Sequence, residues 1–209
     1  MNPAEILQEV AAQASVCTKC DLQYSRKLAV PGEGPADAEI MFIGEGPGFH
    51  ENEQGRPFVG AAGSFLEELL ASIGLKREEV FITNVVKCRP PGNRDPQFEE
   101  LEACSNYLER QIQAINPKVI VTLGRFSMAR FLPNAKISQV HGQAVRVRGR
   151  LVVPMYHPAA ALHQPSLRSA VEADFAQLPS WIAKAGSVPE MHSNLNPAEN
   201  HNPEQLSLF

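Results

Sequence analysis

Four short apolar runs, nearly continuous and rich in β-branched residues, divide the chain. They span Glu39–Ile43, Val80–Val86, Val119–Leu123 and Leu151–Met155. Such runs are typical of strands buried on both faces of a parallel sheet. Segments with helical periodicity lie before, between and after them. These span 4–14, 63–73, 97–115, 125–131 and 166–184. This alternation predicts a three-layer α/β/α fold with a four-stranded, mainly parallel sheet.

The composition changes after Ala185, where Ser, Asn, Pro, His and Glu replace most apolar residues. A segment of that kind cannot support a core. The whole chain has 209 residues, of which 44% are hydrophobic, enough for one well-filled core. We therefore expect a folded domain over 1–184, a flexible linker over 185–204 and a separate apolar end over 205–209.

No apolar run approaches the length needed to cross a bilayer, and the N-terminal segment lacks the basic-then-apolar order of a signal peptide. We therefore expect a cytoplasmic protein without a membrane partner. In that reducing compartment the four cysteines are expected to be metal ligands or catalytic groups rather than disulfides.

The charge is unevenly distributed. The chain carries a net charge of -4, yet no Asp or Glu occurs from Arg110 to Val171, where nine Lys and Arg residues lie. One interpretation is a chance imbalance on a solvated face. The other is a surface that faces nucleic-acid phosphate, because local potential rather than net charge steers association.

A glycine-dense loop follows the first predicted strand, at Gly44–Gly48 and again at Gly55–Gly63. Glycines between a strand and a helix let the backbone approach a flat ligand closely, and Phe58 adds one aromatic face. The segment lacks the Lys-Ser/Thr of a P-loop and the spacing of a dinucleotide fingerprint. Ligands of parallel sheets bind beyond the carboxyl ends of the strands, where Asn84, Gly124 and 156–158 also lie.

The cysteines form a pair near the N-terminus, Cys17 and Cys20, and two further thiols, Cys88 and Cys104. Four thiolates suit either tetrahedral zinc or an iron–sulfur cluster, and ligand chemistry alone does not choose between them. Buried structural cysteines are the remaining alternative.

Four motifs stand in a fixed order: Gly-Glu-Gly-Pro-Gly with Gly-Arg-Pro-Phe-Val-Gly, then Thr-Asn-Val-Val-Lys-Cys-Arg-Pro, then Leu-Gly, then His-Pro-Ala. Together with the four cysteines they resemble the family four, iron–sulfur, uracil-DNA glycosylases from about Cys17 to Trp181. The resemblance implies a monomeric DNA repair enzyme that flips uracil out of DNA and hydrolyses its glycosidic bond. It also implies a [4Fe–4S] cluster on Cys17, Cys20, Cys88 and Cys104.

The same resemblance implies roles for individual residues. Phe58 would stack on the extruded base, Asn84 would read its O4 and N3–H edge, and His157 would donate to O2. Leu162 or its neighbours would fill the vacated base stack.

The resemblance is less definite about which carboxylate takes part in catalysis. Gly46 would lie in the substrate pocket, at a position where related families place a water-activating Asp. Glu45 is the carboxylate that the pattern offers for catalysis, with Glu51 and Glu53 as substitutes.

The last five residues match the peptide by which bacterial proteins dock on the replication sliding clamp. They are Gln205, Leu206, Ser207, Leu208 and Phe209. The apolar side chains would fill pockets on the clamp and the linker would act as a tether, which implies a bacterial, nucleoid-associated protein. The alternative is a random apolar end.

Two other function classes compete with the enzyme. One is a non-catalytic or covalently trapping uracil-DNA-binding protein on the same scaffold. That branch carries a basic insertion before the helix of the fourth cysteine, which the loop Pro90–Pro96 lacks. The other is a zinc-stapled DNA-binding protein.

Overall fold

The computed structural model describes residues 1–188, and a five-stranded sheet lies at its centre. The strands are β1 (Ile40–Gly44), β2 (Phe81–Asn84), β3 (Val119–Leu123), β4 (Val145–Val147) and β5 (Arg150–Met155). Their order across the sheet is β2-β1-β3-β5-β4. The first four strands in that order are parallel, and β4 pairs with β5 in the antiparallel direction.

Nine α-helices occur in the described residues. They are α1 (Pro3–Ser15), α2 (Leu22–Ser25), α3 (Phe49–Gln54), α4 (Ala61–Ser72), α5 (Phe98–Ile115), α6 (Arg125–Ala129), α7 (Ile137–Val140), α8 (Pro158–His163) and α9 (Arg168–Ala183). Single 3₁₀ turns span Arg77–Glu79, Pro91–Asn93 and Pro165–Leu167.

Helices cover both faces of the sheet. One face packs against α4, α8 and α9, where Phe42 of β1 stacks on Phe175 of α9 with ring centroids 6.0 Å apart. The opposite face packs against α5 and α6. A smaller cluster between α1 and α5 contains the cysteines. Since every residue of β1, β2 and β3 is buried, the absence of polar alternation in the sequence has a simple cause.

The predicted three-layer fold is confirmed, and the four expected strands lie within a residue or two of their predicted bounds. The sequence analysis missed β4, however. Its three residues are half-buried and lie at the sheet edge. The two-residue turn to β5, Arg148 and Gly149, has φ of 51° and 76°, as a type I′ hairpin requires. That turn lacks the usual Asn-Gly or Asp-Gly signal, so the hairpin was not recognised.

The basic stretch does not form one surface at the candidate site. Arg110, Lys118, Arg125, Arg130 and Arg168 make ion pairs with acidic residues from outside the stretch. The hairpin that carries the other arginines lies at the amino ends of the parallel strands, because β5 begins there. The ligand-binding ends of the strands are opposite. The expectation that this stretch faces DNA is therefore not supported for the hairpin arginines.

The folded unit extends a little beyond the expected domain boundary. Ala185 and Val188 pack against the core, and Arg146 Nε donates to the backbone oxygen of Val188 at 2.9 Å. The rest of the expected linker and the proposed clamp-binding peptide, 205–209, lie outside the described residues. Within residues 1–188, no helix has both the length and the apolar character to cross a membrane.

Candidate active site

The predicted site residues converge at the carboxyl ends of the strands. Gly44 ends β1 and pairs in register with Asn84, which ends β2. Gly124 follows β3, and its backbone N–H donates to the oxygen of Met155 at the end of β5 at 2.8 Å. His157 comes two residues later and caps α8. Four elements distant in sequence thus meet at one edge, as parallel topology dictates.

Asn84, Gly44 and Phe58 meet at the end of β1, and this group is called the cradle below. Asn84 is 1% exposed, and its Oδ1 has no hydrogen-bond partner among the described protein groups. A methyl group added to Gly44 would lie 2.8 Å from Cζ of Phe58 and closer still to Asn84 Oδ1. The glycine therefore lets the Phe58 ring and the Asn84 amide pack directly against the end of β1. A buried unpaired acceptor costs stability unless a ligand donates to it.

His157 is held as a neutral donor. Its Nδ1 accepts the backbone N–H of Ala159 at 3.1 Å, so in the neutral ring Nε2 carries the proton. Burial lowers the pKa of His157 to about 4, against a weaker opposing effect of Glu51. The ring stacks on Phe58 with centroids 5.4 Å apart. Near neutral pH the site therefore presents an uncharged imidazole N–H beside the aromatic ring.

Phe58 has a backbone conformation that its neighbours impose. Its φ of 50° is unusual for a bulky residue. The Arg77 guanidinium donates to the backbone oxygens of Pro57 and Phe58, the latter at 2.8 Å. Any side chain at Gly63 would collide with the Phe58 carbonyl group, so α4 begins tightly against this loop. The backbone on both sides of the Phe58 ring is therefore held by Arg77 and by the start of α4.

Glu45 directly follows Gly44, and it is half-buried. Burial and, less strongly, Asp95 raise the pKa of Glu45 to about 7, against a lowering effect of Arg125. Asp95 and Arg125 themselves form an ion pair. A carboxyl group of this pKa exchanges its proton near neutrality, which suits a group that acts on water.

Glu51 and Glu53, the expected substitutes for Glu45, both have partners in the structure. The Glu51 carboxylate accepts backbone N–H groups of Gly48, Val59 and Gly60 at 2.9–3.1 Å and so joins the two halves of the glycine-rich loop. Glu53 forms an ion pair with Lys27 at 2.5 Å. These contacts give both carboxylates a structural role, and a catalytic role for either stays a prediction.

Gly46 and Leu162 follow the ends of β1 and β5 in the chain. A side chain at Gly46 would meet Val86 at 2.7 Å and approach Pro90, so the loop passes close to the segment after β2. Leu162 on α8 is 42% exposed, although it is a large apolar residue close to His157 in sequence. Their roles in binding DNA stay predictions.

The four cysteines line one cavity between α1 and α5. Cys88 and Cys104 are buried, and Cys17 and Cys20 are half-buried. Arg26 donates to the Cys88 sulfur at 3.5 Å, and the Lys87 backbone N–H donates to the Cys104 sulfur at 3.3 Å. Burial raises the pKa of Cys20, Cys88 and Cys104, the last to about 11. Thiolates here would need positive charge from a bound metal group.

The cysteine site offers four sulfur ligands around one cavity, and N–H groups donate to two of them. This donor set fits a thiolate-bound metal group, either tetrahedral zinc or an iron–sulfur cluster.

Two residues that hold the loop of Phe58 have roles that the sequence analysis missed. Glu51 was expected only as a catalytic substitute, Arg77 was not named, and neither belongs to a recognisable motif for holding a loop. Lys87 could have been noticed in the sequence, because a lysine directly after an apolar strand and before Cys88 is unusual in a buried segment. Its side chain lies in the interior behind Asn84.

The model of the uracil DNA glycosylase superfamily matches residues 31–178. The chain belongs to the uracil DNA glycosylase superfamily. A type-4 uracil-DNA glycosylase of Archaeoglobus fulgidus is 50% identical over 190 residues, covering 86% of this chain and 95% of that relative. Another, from Sulfurisphaera tokodaii, is 49% identical and covers 82% and 83%. A third, from Thermotoga maritima, is 44% identical and covers 87% and 97%.

The resemblance expected from the motif order is thereby confirmed. The part that matches the uracil DNA glycosylase superfamily contains the whole cradle and the last two cysteines. Cys17 and Cys20 precede it. The paired N-terminal cysteines are therefore an addition to the common superfamily region.

Proposed function

We propose that this chain excises uracil from DNA as a type-4 uracil-DNA glycosylase in base excision repair. The relatives named above support this function. The single observation that carries it is the buried Asn84 Oδ1, which no described protein group pairs, beside an aromatic ring and a neutral histidine. An enzyme that binds a flipped base needs a polar side chain that hydrogen-bonds to the base edge, an aromatic ring that stacks on the base, and a hydrogen-bond donor to its carbonyl oxygen.

Asn84 would distinguish uracil from cytosine. Its Oδ1 would accept uracil N3–H, and its amide N–H would donate to O4. Cytosine presents an acceptor at N3 and a donor at its exocyclic amine, so both contacts would be repulsive. A rigid buried amide rejects such an analogue strongly, because its own groups would remain unpaired.

His157 and Glu45 would share the chemistry. The bond between the base nitrogen and the sugar carbon breaks, and its electron pair stays on the base. The neutral His157 N–H would stabilise the resulting anion at O2. Glu45, when ionised, would stabilise the cationic sugar or orient the water that adds to it. The added water gives up a proton, and the products are free uracil and an abasic site.

The cysteine site would hold a [4Fe–4S] cluster with a structural role. Cys17, Cys20, Cys88 and Cys104 would be its ligands. When bound, the cluster would stabilise the fold by linking its four ligands, and it would take no part in breaking the glycosidic bond. It would join α1, α5 and the segment after β2, and so fix the loop that approaches Gly46.

Two further parts of the proposal rest on the sequence. The last five residues, Gln205–Phe209, would dock a monomeric enzyme on a bacterial sliding clamp near the nucleoid. A polar tether of about twenty residues reaches on the order of 25 Å. Removing the peptide should abolish clamp binding in calorimetry and leave excision on short DNA unchanged. Equal clamp affinity without it would refute the docking role.

A glycosylase assay tests the main proposal. The purified protein should release free uracil from a uracil-containing oligonucleotide over many turnovers and leave an alkali-labile site. The matched thymine oligonucleotide is the control. A protein that binds uracil DNA without releasing base, or that remains covalently attached to it, would instead be the binding or trapping relative. Iron and sulfide in near-stoichiometric amounts are expected, and zinc alone would refute the cluster.

A further inference from the structure

Lys87 places an ammonium group in the interior behind the base-reading asparagine. The residue is 1% exposed. Its Nζ donates to Thr83 Oγ1 at 2.6 Å, to the backbone oxygen of Asn84 at 2.8 Å and to Gln111 Oε1 at 2.7 Å. An ammonium group has three donors, and each has one acceptor here. None of these acceptors carries a charge.

The acceptors are themselves fixed. Gln111 Nε2 and Thr83 Oγ1 both donate to the backbone oxygen of Pro31, at 2.7 and 2.8 Å. Gln111 lies on α5, Thr83 on β2 and Pro31 on the segment before β1. Lys87 therefore ties three elements together at the point where β2 delivers Asn84.

The same residue contacts the cysteine site. Its backbone N–H donates to the Cys104 sulfur, and Cys88 follows it in the chain. Lys87 also lines the cavity that all four cysteines share. The residue that holds the Asn84 backbone therefore also borders the cysteine site.

We propose that Lys87 is a positioning residue for uracil recognition: its side chain fixes the Asn84 backbone and ties the end of β2 to α5. This inference deepens the proposed function and rests on it. Removing the ammonium group would leave the Asn84 carbonyl group without its donor and free the end of β2. A misplacement of about 1 Å at a reacting group can cost about a hundredfold in rate.

The test compares Lys87→Met, a near-isosteric apolar variant, with the parent and with Lys118→Met. Lys118 is an exposed lysine paired with Glu39 on the surface. Lys87→Met should excise uracil about ten to a hundred times more slowly in single turnovers. It should also bind free uracil more weakly, while its affinity for DNA with a tetrahydrofuran abasic analogue stays close to the parental value. Lys118→Met should match the parent in all three.

The affinity for free uracil gives a readout independent of activity, and it should fall in Lys87→Met and stay unchanged in Lys118→Met. If Lys87→Met is not obtained folded, Lys87→Gln removes the amino group while keeping a polar side chain, and the same measurements are made on it.

Parental excision and parental uracil affinity in a cluster-loaded Lys87 variant would overturn the inference. Equal losses for free uracil and for abasic-analogue DNA would also overturn it, since they would indicate a general structural defect. A parent that excises no uracil refutes the proposed function itself, and this inference with it. An active parent with an equally active Lys87 variant refutes only the role of Lys87.

Discussion

The backbone N–H of Ala159 donates to Nδ1 of His157 at 3.1 Å, and this contact decides which ring nitrogen faces a substrate. Because His157 is the N-cap of α8, the first turn of the helix supplies the donor. Burial holds the pKa of the ring at about 4. The imidazole is thus a neutral N–H donor at every pH at which the enzyme is expected to work.

Replacing His157 should therefore impair chemistry rather than binding. We expect His157→Ala to slow single-turnover excision by about a hundredfold to a thousandfold, the usual cost of losing one oxyanion-hole donor. The dissociation constant for uracil DNA should change little. His163→Ala, an exposed histidine on the same helix, is the control and should behave as the parent. If His157→Ala excises uracil at the parental single-turnover rate, His157 does not stabilise the departing base.

Glu45 should set the acid limb of the pH profile. Its pKa is raised to about 7, so excision by the ionised form should rise with pH through about 7 and then level off. His157 titrates too low to produce that limb. Glu45→Gln should be slower and should lose the limb. The dependence of kcat/KM on pH measures this, and a parental limb in the Gln variant would exclude Glu45 as its source.

The same group has the opposite effect on stability. Folding raises the pKa of Glu45 from 4.5 to about 7, so the native state holds its proton to a higher pH than the unfolded chain. The contribution of Glu45 to the free energy of unfolding should therefore fall as pH rises between those values. Chemical denaturation at several pH values should show a smaller fall in Glu45→Gln than in the parent.

Gly44→Ala should disrupt the cradle. The added methyl group would collide with both the Phe58 ring and Asn84 Oδ1, so the two side chains expected to hold the base would have to move. We expect loss of uracil excision and of free-uracil binding, with a smaller effect on affinity for abasic DNA. Gly186→Ala is a suitable control, because a methyl group there meets nothing within 4 Å. Normal excision by Gly44→Ala would place the base elsewhere.

The strand ends were predictable from the sequence, and the contacts that hold them were not. Apolar runs fix where β1 and β2 stop, so Gly44 and Asn84 were expected at one edge by topology alone. The roles of Glu51 and Arg77 depend on loop geometry, since each stabilises backbone groups distant from it in sequence. Such long-range capping leaves no periodic signal. The prediction of a DNA-facing surface from the basic stretch failed for a related reason. Most of its Lys and Arg side chains form ion pairs with acidic residues that lie elsewhere in the sequence.

The hairpin arginines should contribute little to DNA binding. Arg146, Arg148 and Arg150 lie at the end of the sheet opposite the cradle, and Arg146 is engaged by the backbone of Val188 and Gly149. The triple Ala variant should keep the parental slope of log affinity against log salt for undamaged duplex. A slope shallower by about 0.9 for each residue would instead show that these side chains neutralise phosphates.

Asn84→Asp should change which base the site recognises. An ionised Asp accepts hydrogen bonds and cannot donate to uracil O4, so uracil excision should fall by at least about a hundredfold. The carboxylate can accept from the exocyclic amine of cytosine, and weak cytosine excision is expected. Burial at this position would raise the pKa of the new carboxyl group, so the cytosine activity should increase with pH.

Asn116→Asp provides the matched control, because Asn116 is an exposed residue at the C-cap of α5. It should retain the parental preference for uracil. Release of free base from paired uracil and cytosine oligonucleotides, measured in single turnovers at several pH values, gives both activities. If Asn84→Asp excises uracil at the parental rate, the unpaired Oδ1 reads no base edge. If uracil excision falls and cytosine is still refused at high pH, Asn84 binds uracil while another group excludes cytosine.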